Sequence, residues 1–330
     1  MKVVEPLALR VATFNCLAPV HKSAGLGREG DTEALWLPRG RAEVGFIREA
    51  LRGVDVICLQ EFWFVDKWVE LFREALDGYE LCTARRTGSH PHDGSARSDG
   101  VATLVARDTY EVDLARSVDL GRGRVALAVS LRRRLEPLPH LLVANVHLPF
   151  PASDNSRRVQ ETHAREAARV LDDFRADDAV PTLSLVAGDF NSRADDPPAR
   201  ALETMGFVNC ATAYASMSLA SGVGGVTDLG VTHLTHRGDS LQCDHIFARD
   251  DHPTPFLGYF DKANLSLDNV GRVNVDASNP VKWEPSFTIS DHLPVIAEFS
   301  TRRPSTIPAQ RRPHADDDAW LPAPFPDTIC

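Results

Sequence analysis

The sequence has no long apolar run and no excess of positive charge. No stretch of its 330 residues approaches the roughly eighteen consecutive apolar residues of a membrane-spanning helix, so no transmembrane segment is expected. The formal net charge of −10 argues against a protein whose whole surface attracts nucleic acid, because duplex-binding proteins usually carry a basic patch or stripe. This charge still allows a site that binds one phosphate group.

Paired cysteines are missing as well. The six cysteines include no CxxC motif, and Cys58 and Cys243 lie within apolar, strand-like runs. We therefore expect buried free thiols rather than disulfide bonds or a zinc site. The first ten residues, MKVVEPLALR, contain one lysine and too short an apolar run for a secretory signal. A cytoplasmic location is the expectation, with organelle targeting left open.

Composition and length indicate one large domain. Apolar residues make up 43% of the chain and charged residues 25%, which is close to the average of soluble globular proteins. Residues 304–330 contain six prolines and an acidic run and show no periodicity. We predict one domain over residues 1–303, followed by a proline-rich tail over 304–330.

Short apolar runs rich in Val, Ile and Leu recur along the chain and predict β-strands. Their positions are 9–15, 54–61, 100–106, 124–131, 141–148, 182–191, 242–248 and 293–300. The runs that begin at 9, 54, 141 and 182 are apolar almost throughout, which is typical of strands covered on both faces.

Amphipathic patterns around Val44, Trp68 and Val159 predict helices that each present one apolar stripe to a sheet. The chain is therefore predicted to be an α/β protein with two packed sheets flanked by helices. The segment 249–289 is expected to be a long loop between two strands.

Most of the apolar strands end in a polar residue that a core strand does not need. These residues are Asn15, Glu61, His147, Asp189, Asn191, Asp244, Asp291 and His292. Each has an ordinary explanation when taken alone, such as a turn at Asn15. Ionisable groups beside buried strands are costly unless they are paired or bound to a metal, so the set indicates a shared cation. The oxygen atoms of Asn15, Glu61 and Asp291 suit Mg²⁺ or Mn²⁺.

Six short motifs carry a family resemblance. In chain order they are FNCLAP, ICLQE, NVHL, GDFNS, CDHIF and SDHLPV. Together they resemble the endonuclease/exonuclease/phosphatase superfamily, also called DNase I-like, over residues 8 to about 300. The resemblance implies a four-layer α/β-sandwich of two mixed β-sheets flanked by helices. It also implies a metal site at one end of the paired sheets, with Glu61 as the principal ligand and Asn15 and Asp291 in support.

The same resemblance implies roles for the remaining residues. Asp189 and Asn191 would position the attacking water and a phosphate oxygen. His147 would stabilise charge on the phosphoryl oxygens, and Asp244 would hold His292 in one tautomer. Asp189 and His292 both remain candidates for the general base.

Local features suggest a branch of the superfamily. GDFNS and the segments 98–105 and 231–247 are similar to the carbon catabolite repressor deadenylases and nocturnin, whereas His245 and Phe62 depart from that pattern. The resemblance implies a nucleotide or RNA phosphoester as substrate, and no protein partner is predicted.

Two other functions stay open. Trp63 and the long helix predicted over 157–174 favour a phospholipase C of the neutral-sphingomyelinase kind, although Trp36, Trp63 and Trp68 are expected to pack in the core. A catalytically silent relative would lack Glu61, Asp189 or His292, and all three are present.

Substrate specificity is expected to reside in the loops 20–40, 85–98 and 249–289. The second of these loops contains His90, His92 and Asp93, which could bind a second metal but more simply form a solvated polar loop.

Overall fold

Two β-sheets lie face to face in the computed structural model, which describes residues 8–89, 94–134, 139–175, 182–220, 230–234, 239–250, 259–260, 265–272 and 289–301. In chain order the strands are β1 (Ala8–Asn15), β2 (Ser23–Ala24), β3 (Gly27–Arg28), β4 (Val56–Trp63), β5 (Tyr79–Arg85), β6 (Asp99–Ala106), β7 (Tyr110–Gly121), β8 (Arg124–Arg133), β9 (His140–His147), β10 (Thr182–Asp189), β11 (Val208–Asn209), β12 (His233–Leu234), β13 (Ser240–Leu241), β14 (Asp244–Arg249), β15 (Tyr259–Phe260), β16 (Leu265–Arg272) and β17 (Val295–Thr301). The helices are α1 (Glu33–Ala50), α2 (Asp66–Ala75), α3 (Asp154–Phe174), α4 (Pro197–Glu203) and α5 (Cys210–Ala220), with a short 3₁₀ helix at Glu29–Asp31.

Both large sheets are mixed. The first has the strand order β15-β16-β17-β1-β4-β6-β5, and the second has the order β11-β14-β10-β9-β8-β7. Within the described residues, β1 and β4 are parallel neighbours in the first sheet, and β9 and β10 are parallel neighbours in the second. The two central pairs therefore present their carboxyl ends at an edge of each sheet.

Three apolar clusters define four layers. Residues of both sheets, such as Val11 and Leu185, pack together between the sheets. Helices α1 and α2 cover the outer face of the first sheet with side chains that include Phe46 and Trp68. Helices α3 and α4 cover the outer face of the second sheet, where Leu171 is buried. The predicted four-layer α/β-sandwich is confirmed.

The sequence located the buried elements better than the edge elements. All eight predicted strands and all three predicted helices are present. The prediction of a loop over 249–289 was wrong at 265–272, where β16 pairs with β17. Leu267 and Val270 are buried there, but a register shift between Leu267 and Asn269 breaks the alternation that would have indicated a strand. His90, His92, Asp93 and residues 304–330 lie outside the described residues.

The cysteine and tryptophan side chains that the structure describes are buried, as expected. Five cysteines, all but Cys330, are described as free and buried. Trp36, Trp63 and Trp68 form one aromatic cluster, with ring centroids 5.2 to 6.1 Å apart, on the outer face of the first sheet. None of the helices that the structure describes is long and apolar enough to cross a membrane.

A buried arginine in α1 connects the loops at one end of the first sheet. The Arg39 guanidinium is fully buried. Its hydrogen-bond partners are the carboxylates of Glu29 and Glu43 and the carbonyl oxygens of Cys16, Leu17 and Ile289. Burial raises the pKa of Glu43 well above its usual range, and the Arg39 charge opposes this rise. Arg39 thereby ties the loop after β1 to the loop before β17.

Replacing Arg39 with methionine is expected to lower the free energy of unfolding by about 3 to 5 kcal/mol, because the buried Glu43 carboxylate loses its cation and Glu29 keeps only Lys22 among the described residues. The matched control is Arg48→Met on the same helix, where the arginine is exposed and the expected change is within about 0.5 kcal/mol. Urea unfolding followed by circular dichroism measures both values. Equal, small losses of unfolding free energy in the two variants would show that the buried contacts of Arg39 do not stabilise the fold.

Candidate active site

The polar strand ends predicted from the sequence lie along one edge of the paired sheets. Asp189 ends β10, where it lies opposite His147 of the parallel strand β9 and opposite Asp244 of the antiparallel strand β14. Three functional candidates therefore form a row across adjacent strands. Gly188 allows this close pairing, because a Cβ atom there would collide with the Val146 carbonyl oxygen.

Asn15 joins the first sheet to this row. Its Nδ2 atom donates a hydrogen bond of 3.0 Å to Asp189 Oδ2, and its Oδ1 atom accepts one of 2.9 Å from the Leu17 backbone. Directly below, Gln60 Nε2 donates to Asn145 Oδ1 at 2.8 Å, in a pair that is fully buried. The two sheets are thus in polar contact at the base of the site.

Glu61 has an unusual backbone conformation. It lies at the register shift between β4 and β6 and has a φ of 53°, in the left-handed region that side chains other than glycine seldom adopt. Its Oε2 atom accepts a hydrogen bond of 3.1 Å from the Ala18 backbone. Strain of this kind is found where a bulge directs a side chain into a functional site. The parallel register pairs Asn15 of β1 with Gln60 of β4. Glu61 is the next residue of β4, so it lies one position beyond Asn15 at the same edge of the sheet.

Asp189 is 2% exposed and is held from two directions. The Asn191 backbone donates to its Oδ1 atom at 2.8 Å, while Asn15 binds its Oδ2 atom. Burial raises the pKa of Asp189 to about 6, with the positive charge of His292 opposing the rise and the charge of Asp244 adding to it. The carboxyl group therefore titrates nearer to neutral pH than an exposed aspartate does.

His292 forms a buried pair with Asp244. Its Nδ1 atom donates to Asp244 Oδ2 at 2.9 Å, and its Nε2 atom lies 3.8 Å from Asp189 Oδ2 and 3.9 Å from Asp291 Oδ1. Burial alone would lower the pKa of His292, but the Asp244 carboxylate outweighs burial and raises it to about 10. The ring is therefore held as a cation, and its Nε2 atom lies at similar distances from the Asp189 and Asp291 carboxyl groups.

His233 contacts the same ring and was not among the predicted site residues. It stacks on His292 with centroids 4.0 Å apart and planes 9° apart, and its Nε2 atom lies 3.5 Å from Asp291 Oδ2. The adjacent Thr232 hydroxyl accepts hydrogen bonds from the backbones of Cys243 and Asp244. The only sequence signal was the threonine-containing and histidine-containing stretch 231–247.

His147 behaves differently from His292. Its Nε2 atom lies 3.6 Å from Asp189 Oδ2. Burial lowers its pKa well below the usual range, and the nearby Arg124 and Arg86 charges lower it further. The ring is therefore neutral. Asn191, the remaining predicted residue, has a φ of 49° and donates through Nδ2 to the Leu148 carbonyl at 2.9 Å.

The donor atoms of the site fit a hard cation. Oδ1 atoms of Asp244 and Asp291 are buried and have no hydrogen-bond partner among the described residues. Ligand atoms of Asp189, Asp244 and His292 lie within 4.8 Å of one another, in a group that could hold a metal ion once His292 releases a proton. Carboxylate and amide oxygens predominate, as Mg²⁺ and Mn²⁺ prefer. This group differs from the predicted ligands Asn15, Glu61 and Asp291, whose roles stay predictions.

No curated protein matches the sequence. Among solved structures, the human nocturnin catalytic domain with bound sulfate is similar, at 19% identity and a TM-score of 0.60 over 91% of this chain and 95% of that one. ANGEL2, a 2′,3′-cyclic phosphatase in complex with adenosine-2′,3′-vanadate, has 18% identity and a TM-score of 0.61 over 90% and 97%. The D. rerio TDP2 structure with a single-strand DNA product has 14% identity and a TM-score of 0.59 over 89% and 99%.

These likenesses establish the fold and agree with the six motifs recognised in the sequence. The sequence itself gives the family, because residues 12–292 match it over most of the chain length. The chain therefore belongs to the Endonuclease/Exonuclease/phosphatase family.

Proposed function

We propose that this chain is a divalent-metal-dependent phosphoesterase that hydrolyses a nucleotide or RNA phosphoester at the strand-end site. The observation that carries the proposal is the buried Asp244–His292 pair, with His292 Nε2 3.8 Å from Asp189 Oδ2. A phosphoester carries negative charge, so its hydrolysis needs donors for the developing charge and an acceptor for the proton of water. This arrangement supplies both groups within one row.

The metal-binding role falls to Asn15, Glu61 and Asp291, which would hold Mg²⁺ or Mn²⁺ through oxygen atoms. When bound, such a cation offsets the repulsion between an anionic phosphate and an incoming nucleophile. The strained backbone of Glu61 supports this role, because it directs a carboxylate to the sheet edge at a cost in conformational energy.

Proton transfer is assigned to Asp189. Its two oxygens are positioned by the Asn191 backbone and the Asn15 amide, so the carboxylate is held in one orientation toward a bound water. His292 already has a carboxylate on Nδ1 and directs its Nε2 proton into the site. His292 therefore serves better as a donor to a phosphoryl oxygen than as the general base. Neutral His147 can donate one further hydrogen bond from the other side.

Two observations favour a nucleotide substrate over a phospholipid. The similar ANGEL2 structure is that of a 2′,3′-cyclic phosphatase with an adenosine ligand, and the similar TDP2 structure holds a single-strand DNA product. Trp36, Trp63 and Trp68, which would be natural lipid contacts if exposed, pack inside the aromatic cluster instead. The choice between RNA, DNA and small nucleotides is open to direct test.

The substrate class is tested by measuring hydrolysis of single-stranded RNA, single-stranded DNA, NADP, phosphoinositides and sphingomyelin with Mg²⁺ or Mn²⁺. We expect turnover of RNA or a small nucleotide. The Asp189→Asn variant, which loses the proposed proton acceptor, serves as the blank for contaminating activity. Cleavage of sphingomyelin without any nucleotide turnover would reverse the proposed substrate class.

Metal dependence is tested by chelation and by Glu61→Gln. We expect activity to disappear in excess EDTA and to return with Mg²⁺ or Mn²⁺. Because the substitution removes a charged oxygen ligand, Glu61→Gln should need at least about tenfold more metal for half-maximal activity. The control is Glu70→Gln, which alters an exposed glutamate of α2 and should leave the metal titration unchanged. Full activity in EDTA would refute the metal-dependent mechanism.

The Asp244–His292 pair is tested by a double-mutant cycle on turnover. Asp244→Asn should lower turnover by about a hundredfold or more, because the imidazole loses the carboxylate that orients it. Adding His292→Ala to that variant should cost little beyond His292→Ala alone, since residues that act as a unit are strongly non-additive.

The matched control for this cycle is Asp55→Asn. Asp55 is another buried aspartate, but it accepts a hydrogen bond from the Arg10 backbone at the opposite end of β1. Asp55→Asn should therefore leave turnover nearly unchanged. Additive losses in the cycle, or unfolding of the Asp244→Asn protein in a thermal melt, would identify Asp244 as a structural residue.

A further inference from the structure

One flank of the candidate site concentrates positive charge around a single buried aspartate. Asp99 begins β6 and is 1% exposed. Its Oδ2 atom accepts a hydrogen bond of 2.9 Å from Arg86 Nη1 and lies 3.2 Å from His21 Nε2. The Asp99 charge also acts on Arg97 and Arg124. Asp99 is therefore paired with Arg86 and lies close to His21, while its charge also acts on two further guanidinium groups of partly exposed residues.

This flank adjoins the catalytic row. Arg124 begins β8, and its Nη1 atom donates to the His147 carbonyl oxygen at 3.2 Å. Arg86 Nε donates to the Gly123 carbonyl oxygen at 3.2 Å, which holds the turn immediately before Arg124. The charges of Glu61 and Asp189 also act on Arg124. The arginines are therefore close to the scissile position without belonging to the row itself.

The arginines have hydrogen-bonding capacity that the protein leaves unused. Arg97 Nε is buried and has no hydrogen-bond partner among the described residues. The Arg124 guanidinium has five N–H groups. Among the described residues, it has one hydrogen-bond acceptor, the His147 carbonyl oxygen. An unmet buried donor costs stability, so a retained one suggests that a ligand supplies the acceptor.

The ligand chemistry follows from the donors. Guanidinium groups bind phosphate oxygens through paired, charge-assisted hydrogen bonds, and several such groups around one point suit a dianion. Burial and the neighbouring Arg86 charge lower the pKa of Arg124 to about 10, and the charges of Asp99, Glu61 and Asp189 oppose this fall.

We propose that Arg86, Arg97 and Arg124 form a second anion subsite, which binds a phosphate group of the substrate other than the one that is hydrolysed. This inference rests on the proposed phosphoesterase function and refines its substrate class. The preferred substrate then carries at least two phosphate groups. The second group is either the neighbouring phosphodiester of an oligonucleotide or a terminal phosphate on a small nucleotide, and both offer the same chemistry to the arginines.

The first test measures kcat/KM on substrates matched except for the second phosphate. The polymer arm compares the dinucleoside monophosphate ApA with the trinucleotide ApApA, and the small-molecule arm compares adenosine monophosphate with adenosine 3′,5′-bisphosphate. In one of the arms, the wild-type protein should prefer the substrate with two phosphates by about tenfold or more. Arg97→Gln should abolish most of this preference and change turnover of the single-phosphate substrate little.

The control variant is Arg107→Gln, in which an exposed arginine paired with Glu80 is replaced and the preference should persist. If wild-type protein hydrolyses both members of each pair equally well, the second subsite is refuted while the phosphoesterase function stands. Arg97→Lys retains the charge without the paired donors, so it should recover part of the preference lost in Arg97→Gln.

A binding experiment separates the subsite from catalysis. Inorganic phosphate is titrated into metal-free protein in EDTA, and the thermal midpoint is recorded. We expect phosphate to raise the midpoint of wild-type and Glu61→Gln proteins, but to raise that of Arg97→Gln much less. If no substrate is hydrolysed and this pattern still appears, the function proposal fails and the anion subsite stands. An equal shift in Arg97→Gln and wild type would refute the subsite.

Discussion

The buried hydrogen bond between Gln60 and Asn145 is the contact on which the geometry of the site depends. It joins a strand of the first sheet to a strand of the second, and neither side chain reaches solvent. Asn145 also donates to the carbonyl oxygens of Leu59 and Ala102. An unpaired amide in this position would be costly, so the sheets are stable in the alignment that satisfies both amides. That alignment places the ends of β1 and β4 beside those of β9 and β10.

Two histidines next to the same aspartate differ in protonation because their other neighbours differ. His292 has the buried Asp244 carboxylate on Nδ1 and is held as a cation. His147 is buried and lies near the charges of Arg124 and Arg86, and both effects keep its ring neutral. The site is consequently polarised, with carboxylates beside His292 and guanidinium groups beside His147. Such a distribution suits a substrate whose negative charge extends past one phosphate.

Family membership and fold leave the substrate undetermined. The similar structures share 14 to 19% of residues with this chain, and their names include a cyclic phosphatase and a protein with a DNA product. A common framework of strands therefore supports different chemistries, because specificity depends on side chains that the fold itself does not determine. In this chain Arg86 and Arg97 lie in the loop between β5 and β6, and Arg124 begins β8.

The sequence by itself determined the layers and which polar residues lie together at the candidate site. Buried strands produce apolar runs that can be read directly, and a polar residue at the end of such a run is conspicuous because burial makes it costly. For that reason Asn15, Glu61, Asp189 and Asp244 were identified before the structure. The strand β16 was not, since its bulge interrupts the alternation on which strand prediction relies.

Only the tertiary structure decided which groups share a site and what charges they carry. Arg39, His233, Arg97 and Arg124 have no local signature, because arginine and histidine are common on surfaces and nothing in their neighbouring sequence marks the contacts that they make. Their roles arise from contacts between residues distant in the chain, such as Arg39 with the Ile289 carbonyl. Burial and charge at a point in space depend on all the segments that pack there, and a linear pattern records only one of them.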